Sequence, residues 1–233
     1  MTRVLVAALA VAALVGGCSS GGTSPFEKLR PLLEDRIFGG PVFEDEKPKV
    51  EAPPPVTREI LAAVPFATIA LRTATTEEPV YVVATADNGG YVTYQDRVRR
   101  SVVMRGGLLT ATHGLGYNLA AVKHHQDDPL IRARPLDGWP GQIVRNYQFT
   151  RNGASDYEIT VTCTYQRVAR EQVEILEITF NLERVLETCS NGYRTFANTY
   201  WADPATGFVW KSEQWVGPRL PAFTVEVIRP YKT

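Results

Sequence analysis

The side chains in this sequence with chemistry to offer fall into five groups, and each implies a different reaction or contact. His113, His124, His125, Asp127 and Asp128 gather the residue types that hold a divalent ion. Adjacent histidines point in different directions on a helix or a strand, so a solvated loop is expected there and no metal site. Cys163 and Cys189 form an even pair in a chain that carries an export signal, described below, and the expected outcome is a structural disulfide. Glu174, Glu177, Glu183 and Glu187 are the candidates for a glycosidase-type acid pair. Such a pair is defined by a separation in space that sequence does not supply. On long strands these charges are expected to form the solvent-facing half of an alternation. Trp139, Trp201, Trp210 and Trp215, with Tyr200, supply rings that either stack on sugars or fill the core. Phe208 and Trp210 share a strand face, and Trp215 lies on the opposite one.

No Gly-x-Ser-x-Gly elbow, Gly-Lys-Ser phosphate loop or His-Glu-x-x-His helix occurs. The reading is therefore non-enzymatic, with no cofactor, and a polysaccharide-modifying hydrolase or lyase is the alternative. Charge is balanced, 25 Lys and Arg against 25 Asp and Glu. A nucleic-acid binder would normally show a basic face or excess, and none is visible.

The fifth chemistry is at Cys18. Arg3 precedes an apolar run from Val4 to Val15 that closes on Gly16-Gly17-Cys18. The run is much shorter than the roughly 20 residues a membrane-spanning helix needs, which favours a cleaved signal peptide. Leu14-Val15-Gly16-Gly17-Cys18 resembles the bacterial lipobox, in which the cysteine sulfur is acylated and becomes the new first residue. Several acyl chains on Cys18 anchor a protein stably to a lipid bilayer. Ser19, where a retention signal would place Asp, points to the inner leaflet of the outer membrane, facing the periplasm.

The elements that must position these groups follow the chain. Residues 1–17 are the signal peptide, and residues 18–56 carry the lipid anchor, a short broken helix and a Pro-rich tether. Ser24, Pro25 and Glu27 open that helix, Pro31 breaks it, and Gly39-Gly40 end it. Pro48, Pro53, Pro54 and Pro55 keep the following stretch extended. Residues 57–233 form a β-rich periplasmic domain that begins with a helix capped by Thr57 and stopped by Pro65. Strands are expected over 66–73, 80–85, 91–94, 98–104, 108–112, 143–151, 157–167, 173–186, 193–202, 208–216 and 223–228. Asp87-Asn88-Gly89-Gly90 and Arg105-Gly106-Gly107 are turns, and 117–124 is a coil or single helical turn. The fold class is mainly β, with antiparallel sheets in a half-barrel or barrel-like single domain, or a sandwich, and a few short helices.

Several segments, in order, carry a family resemblance. They are Pro65-Phe66-Ala67-Thr68, Ala84 through Gly90, and Gly107-Leu108-Leu109-Thr110 through Gly114-Leu115. Tyr117-Asn118-Leu119 continuing to Asp127-Asp128-Pro129-Leu130 follows, and then Tyr200-Trp201-Ala202-Asp203-Pro204-Ala205-Thr206-Gly207 with Val209-Trp210-Lys211-Ser212 and Gln214-Trp215. From about Ile60 to Pro230 the chain resembles the YjbF/GfcB family of group 4 capsule and exopolysaccharide lipoproteins. The resemblance implies an all-β, half-barrel-like periplasmic domain and a part in making or exporting surface polysaccharide, and it transfers no catalytic residues. The expected partners are the bilayer through Cys18, polysaccharide, and other envelope export proteins. A third reading is an adaptor that docks a partner by strand addition.

Overall fold

Alternating inward apolar and outward polar side chains build twelve strands in the computed structural model, which describes residues 56–73 and 78–232. They are β1 (Thr68–Thr73), β2 (Val80–Asn88), β3 (Tyr91–Gln95), β4 (Ser101–Arg105), β5 (Leu108–His113) and β6 (Tyr117–His124) in the first half. The second half contains β7 (Gln142–Arg151), β8 (Ala154–Ile175), β9 (Ile178–Ser190), β10 (Thr195–Ala202), β11 (Val209–Gln214) and β12 (Phe223–Arg229). One short helix, α1 (Arg58–Ala62), precedes them, with Thr57 Oγ1 accepting from Ile60 N at 3.3 Å as its N-cap. The expected signal segment, Cys18, the broken helix after Ser24 and the prolines up to Pro55 lie outside the described residues.

All twelve strands join one antiparallel sheet in the order β5-β4-β3-β2-β1-β12-β11-β10-β9-β8-β7-β6. The first and last strands pair in its middle, with Ile69 opposite Val227 and Thr73 opposite Phe223. The free edges are therefore β5 and β6, which are consecutive in sequence. The sheet curls into a nearly closed barrel. At the turn joining β5 to β6, Leu119 N donates to Thr112 Oγ1 at 3.0 Å across the remaining seam. Further along the β5 edge, Gln214 substitutes for a neighbouring strand. Its Oε1 accepts from Leu109 N and its Nε2 donates to Gly107 O, both at 2.9 Å. Side chains that satisfy an edge in this way block unwanted pairing.

Leu119, Tyr147, Phe149, Val161, Val185 and Tyr200 belong to the core inside the barrel. A second, smaller core lies on the outer wall. There Leu61 and Val64 from the α1 segment meet Ala70, Val83 and Ile228 of the sheet and Val173, Ile175 and Leu182 from the far half of the β8–β9 hairpin. The hairpin reaches that far because β8 and β9 are long and shift register between Arg167 and Ala169.

Two expected elements differ. Residues 117–124 form a strand rather than a helical turn, because a bulge between Leu119 and Ala121 puts Leu119 and Val122 three residues apart on the same wall. That spacing imitates a helix. The single strand expected over 173–186 is instead cut by a two-residue hairpin turn at Leu176 (φ 42°) and Glu177 (φ 68°). Neither residue favours positive φ, so no turn signal was visible. Tertiary contacts hold the turn. Arg58 Nε donates to Leu176 O and Nη2 to Ile175 O, each at 2.9 Å, while Glu177 Oε2 accepts from Arg58 N at 3.2 Å.

The turn between β10 and β11 is held locally. Asp203 Oδ1 accepts from Ala205 N and Thr206 N, and Gly207 follows at φ 71° with its Cα against the 134 loop. A Cβ there would lie 1.8 Å from Arg134 O. Gly207→Ala should therefore destabilise the fold by about 2 kcal/mol or more, combining overpacking and positive-φ strain. Urea unfolding of the full chain measures this, and an unchanged midpoint would show that the loop moves aside freely.

Candidate functional site

Ile143, Arg145, Tyr147 and Phe149 take successive inward positions on β7, so an arginine side chain enters the barrel interior. Arg145 is fully buried, and a charge there must be matched by partners. Asp128 arrives from the loop after β6, where Asp128 N donates to His125 O and Leu130 N donates to Asp128 Oδ1. Arg145 grips it side-on, Nε to Oδ2 at 2.5 Å and Nη2 to Oδ1 at 2.9 Å. Nη1 donates to Glu187 Oε1 at 2.6 Å, and Nη2 also donates to the Tyr165 hydroxyl at 2.7 Å.

Strand register supplies the rest. Tyr165, Glu187 and Asn198 lie opposite one another across β8, β9 and β10. Glu187 Oε2 accepts from Asn198 Nδ2 at 2.6 Å and from the Tyr200 hydroxyl at 3.0 Å, and Asn198 Oδ1 accepts from Trp215 N at 2.7 Å. In the adjoining cross-strand row, Cys163 and Cys189 form the expected disulfide with Cα atoms 3.9 Å apart. The bridge spans 26 residues, which corresponds to about 3.5 kcal/mol in the chain-entropy model. The two sulfurs and the Glu187 carboxylate lie close together, but the sulfurs are bonded to each other.

Burial alone would depress the Arg145 guanidinium, yet the Glu187 charge, the neighbouring tyrosines and the Asp128 hydrogen bond hold it well above its ordinary value. Burial, with the Glu187 charge next, keeps the Tyr165 and Tyr200 hydroxyls well above the usual tyrosine range. The Tyr147 hydroxyl is pushed up to about 12, chiefly by burial. A guanidinium that stays charged and phenols that stay neutral make a locked polar network rather than a proton shuttle. Asp128 and Glu187 are both held by Arg145 with no exposed surface, so neither presents a carboxyl group to a substrate.

Two expectations are thereby corrected. Asp128 is not part of a solvated loop, although His113, His125 and Asp127 are exposed. Glu183 and Glu187 are buried on the inner wall rather than facing solvent, and Glu183 pairs with Arg167 at 3.1 Å. Glu174 and Glu177 are exposed near the hairpin tip. The missed residues were Arg145, Tyr165 and Asn198. A signal for the first existed in Ile143-x-Arg145-x-Tyr147-x-Phe149, where a charge occupies an apolar parity.

The four tryptophans divide between the two walls, and all are half-buried. Trp215 stacks on Phe196 at 4.0 Å, and Trp139 meets Tyr165 edge-on at 5.1 Å; both pack against the interior core. Trp201 and Trp210 pack on the outer wall. Trp201 Nε1 donates to Glu171 Oε2 at 3.0 Å under the Lys211 ammonium, and Trp210 stacks on Phe180 at 4.4 Å beside Phe208. Phe208 and Trp210 thus share one face and Trp215 the other, as the alternation implied.

A family model described as group 4 capsule polysaccharide lipoprotein gfcB, YjbF, matches residues 27–228. Among solved structures, the hypothetical lipoprotein YmcC from Escherichia coli (K12) superposes with a TM-score of 0.64 at 21% identity. The superposition covers 76% of this chain and 91% of that one, and at this identity it bears on the fold alone. No curated protein matches.

Arg145→Met should cost about 3–5 kcal/mol in urea unfolding, because two carboxylates are left buried without their cation. Replacing Asp128 and Glu187 by apolar residues in the same variant should recover most of that loss. Equal destabilisation by the single and triple variants would show that packing, not charge, is responsible. The buried tyrosines also predict an alkaline limit. Their folded-state pKa lies above the ordinary 10, so the folded state binds the proton more tightly. This stability is fully present below pH 10 and is lost as pH rises toward about 12, where Tyr147 and Tyr94 titrate. Thermal melts across that window should fall, and Tyr94→Phe should flatten the fall.

Proposed function

The chain belongs to the YjbF family of group 4 capsule polysaccharide lipoproteins, and on that premise we propose that it assists assembly or export of capsule or exopolysaccharide without catalysing a reaction itself. The observation that carries this reading is the extent of the family match, residues 27–228, which takes in nearly the whole described barrel. A lipoprotein family belongs to the cell envelope. Acylation of Cys18 after removal of residues 1–17 would tether the barrel to the membrane, and Ser19 favours the inner leaflet of the outer membrane. The immobilised state of Arg145, Asp128 and Glu187 supports a scaffold or carrier rather than an acid–base catalyst. Polysaccharide and other export proteins are the proposed partners, and Trp201 and Trp210 are the outer-wall rings best placed to meet a sugar.

Deleting the gene should reduce secreted or surface polysaccharide under inducing conditions. Cys18→Ala in the chromosomal copy should reproduce the loss and move the protein out of the membrane fraction. Unchanged polysaccharide yield and composition in the deletion strain would reject the reading.

A further inference from the structure

The incomplete closure of the barrel leaves a cleft that neither the ion network nor the tryptophans account for. Away from the turn at Gly114–Gly116, the unpaired edges of β5 and β6 flank an open cleft of about 430 Å³, lined in part by Thr110, Ala111, Ala120 and Ala121. Small side chains on both edges leave room that a paired strand would otherwise fill. The volume falls in the range of small-ligand sites.

The polar groups lining the cleft are an ammonium, an imidazole and hydroxyls. Lys123 and His124 line it on the β6 side and Tyr91 on the β3 side, and no carboxylate does. The Arg105 guanidinium lies over the Tyr91 ring, 4.4 Å from its centroid. Among the described residues neither Lys123 nor Arg105 forms an ion pair, and Lys123 is exposed. Of the carboxylates on adjacent elements, Glu158 is held by the amides of Asn146 and Gln148, with the Lys123 charge acting on it more weakly, and Asp127 is held by His125. The Tyr91 hydroxyl and His124 Nε2 lie 3.0 Å apart, which links β3 to β6 over the seam. His124 Nδ1 faces the His125 carbonyl at 3.2 Å, an acceptor only, so in the neutral ring Nε2 accepts from the tyrosine. The phenol oxygen keeps its own acceptor capacity for a sugar hydroxyl.

We propose that the β5–β6 seam is a binding subsite for an acidic sugar of the polysaccharide, with Lys123 and Arg105 meeting its carboxylate and Tyr91 a ring hydroxyl. The ligand class rests on the capsule reading; the site rests on a cleft that Lys123 and no carboxylate lines, with Arg105 beside it over Tyr91 and neither cation in a salt bridge. Full-length protein in detergent, titrated with tetragalacturonate, tests it. The carboxyl-reduced tetrasaccharide should bind at least about tenfold more weakly, the scale of one charge-assisted hydrogen bond, and Lys123→Glu should weaken tetragalacturonate to a similar degree. Lys232→Glu, a charge change at the separate cleft beside Asp87 and Arg229, should leave binding unchanged.

The subsite is refuted if wild type does not bind tetragalacturonate or if both sugars bind equally. Equal weakening by Lys232→Glu, or binding unmoved by Lys123→Glu, as for a seam that accepts an extended peptide, refutes it as well. Complementation separates this from the broader role. A deletion strain that loses polysaccharide and is fully restored by Lys123→Glu rejects the subsite alone, whereas a deletion without effect rejects the capsule reading.

Discussion

A guanidinium with no access to water constrains the structure more than any other group. Arg145 projects inward from β7 and requires two carboxylates and a phenol to arrive from elsewhere, Asp128 from the loop after β6, Glu187 from β9 and Tyr165 from β8. Asn198 on β10 and Trp215 beyond β11 extend the network, so most of the second half of the barrel is tied to one cation. Side-chain direction alternates along a strand, so sliding β9 by one residue would turn Glu187 outward and strand Arg145 without its partner. The cost of a lone buried charge thus enforces register, and the adjoining Cys163–Cys189 bridge fixes the same pair of strands covalently.

The first half of the barrel is held together by other means. Because β1 and β12 pair in the middle of the sheet, its edges fall on the neighbours β5 and β6. Closure there relies on side chains, with Gln214 acting as a peptide surrogate at Leu109 and Gly107 and Thr112 accepting from Leu119. Gly106 and Gly107 are required at the start of β5, since a Cβ on the former would meet Leu130 O at 2.3 Å and on the latter Val209 Cγ2 at 2.7 Å. The Gly107 and Gln214 segments that carry the family resemblance are therefore closure devices rather than chemical groups. They protect the edge where it is tight and leave a cleft where it is wide.

On the outer wall, α1 and the β8–β9 tip hold each other. The Leu176-Glu177 turn places two side-chain-bearing residues at positive φ, a conformation of order 1 kcal/mol or more above the alternatives for each residue. Arg58 offsets this by donating to the carbonyls of Ile175 and Leu176, and Glu177 returns an acceptor to the first amide of the helix. Leu61 and Val64 bury the contact. The α1 segment is in this way packed against the longest hairpin of the barrel.

The sequence by itself determined the antiparallel β class, the turn at Gly89-Gly90, the pairing of Cys163 with Cys189 and the family. Each of these depends on local periodicity, on residues that alone tolerate a given backbone angle, or on ordered motifs. The opposed faces of Trp210 and Trp215 were legible for the same reason. Only tertiary structure decided that Leu119 and Val122 share a wall across a bulge and that Leu176-Glu177 turns under the grip of Arg58. It also decided that Asp128 and Glu187 are buried on one cation and that β5 and β6 stop short of pairing. For the Leu176-Glu177 turn and the buried carboxylates the energy comes from a guanidinium distant in sequence. Local pattern carries no record of which distant group will arrive.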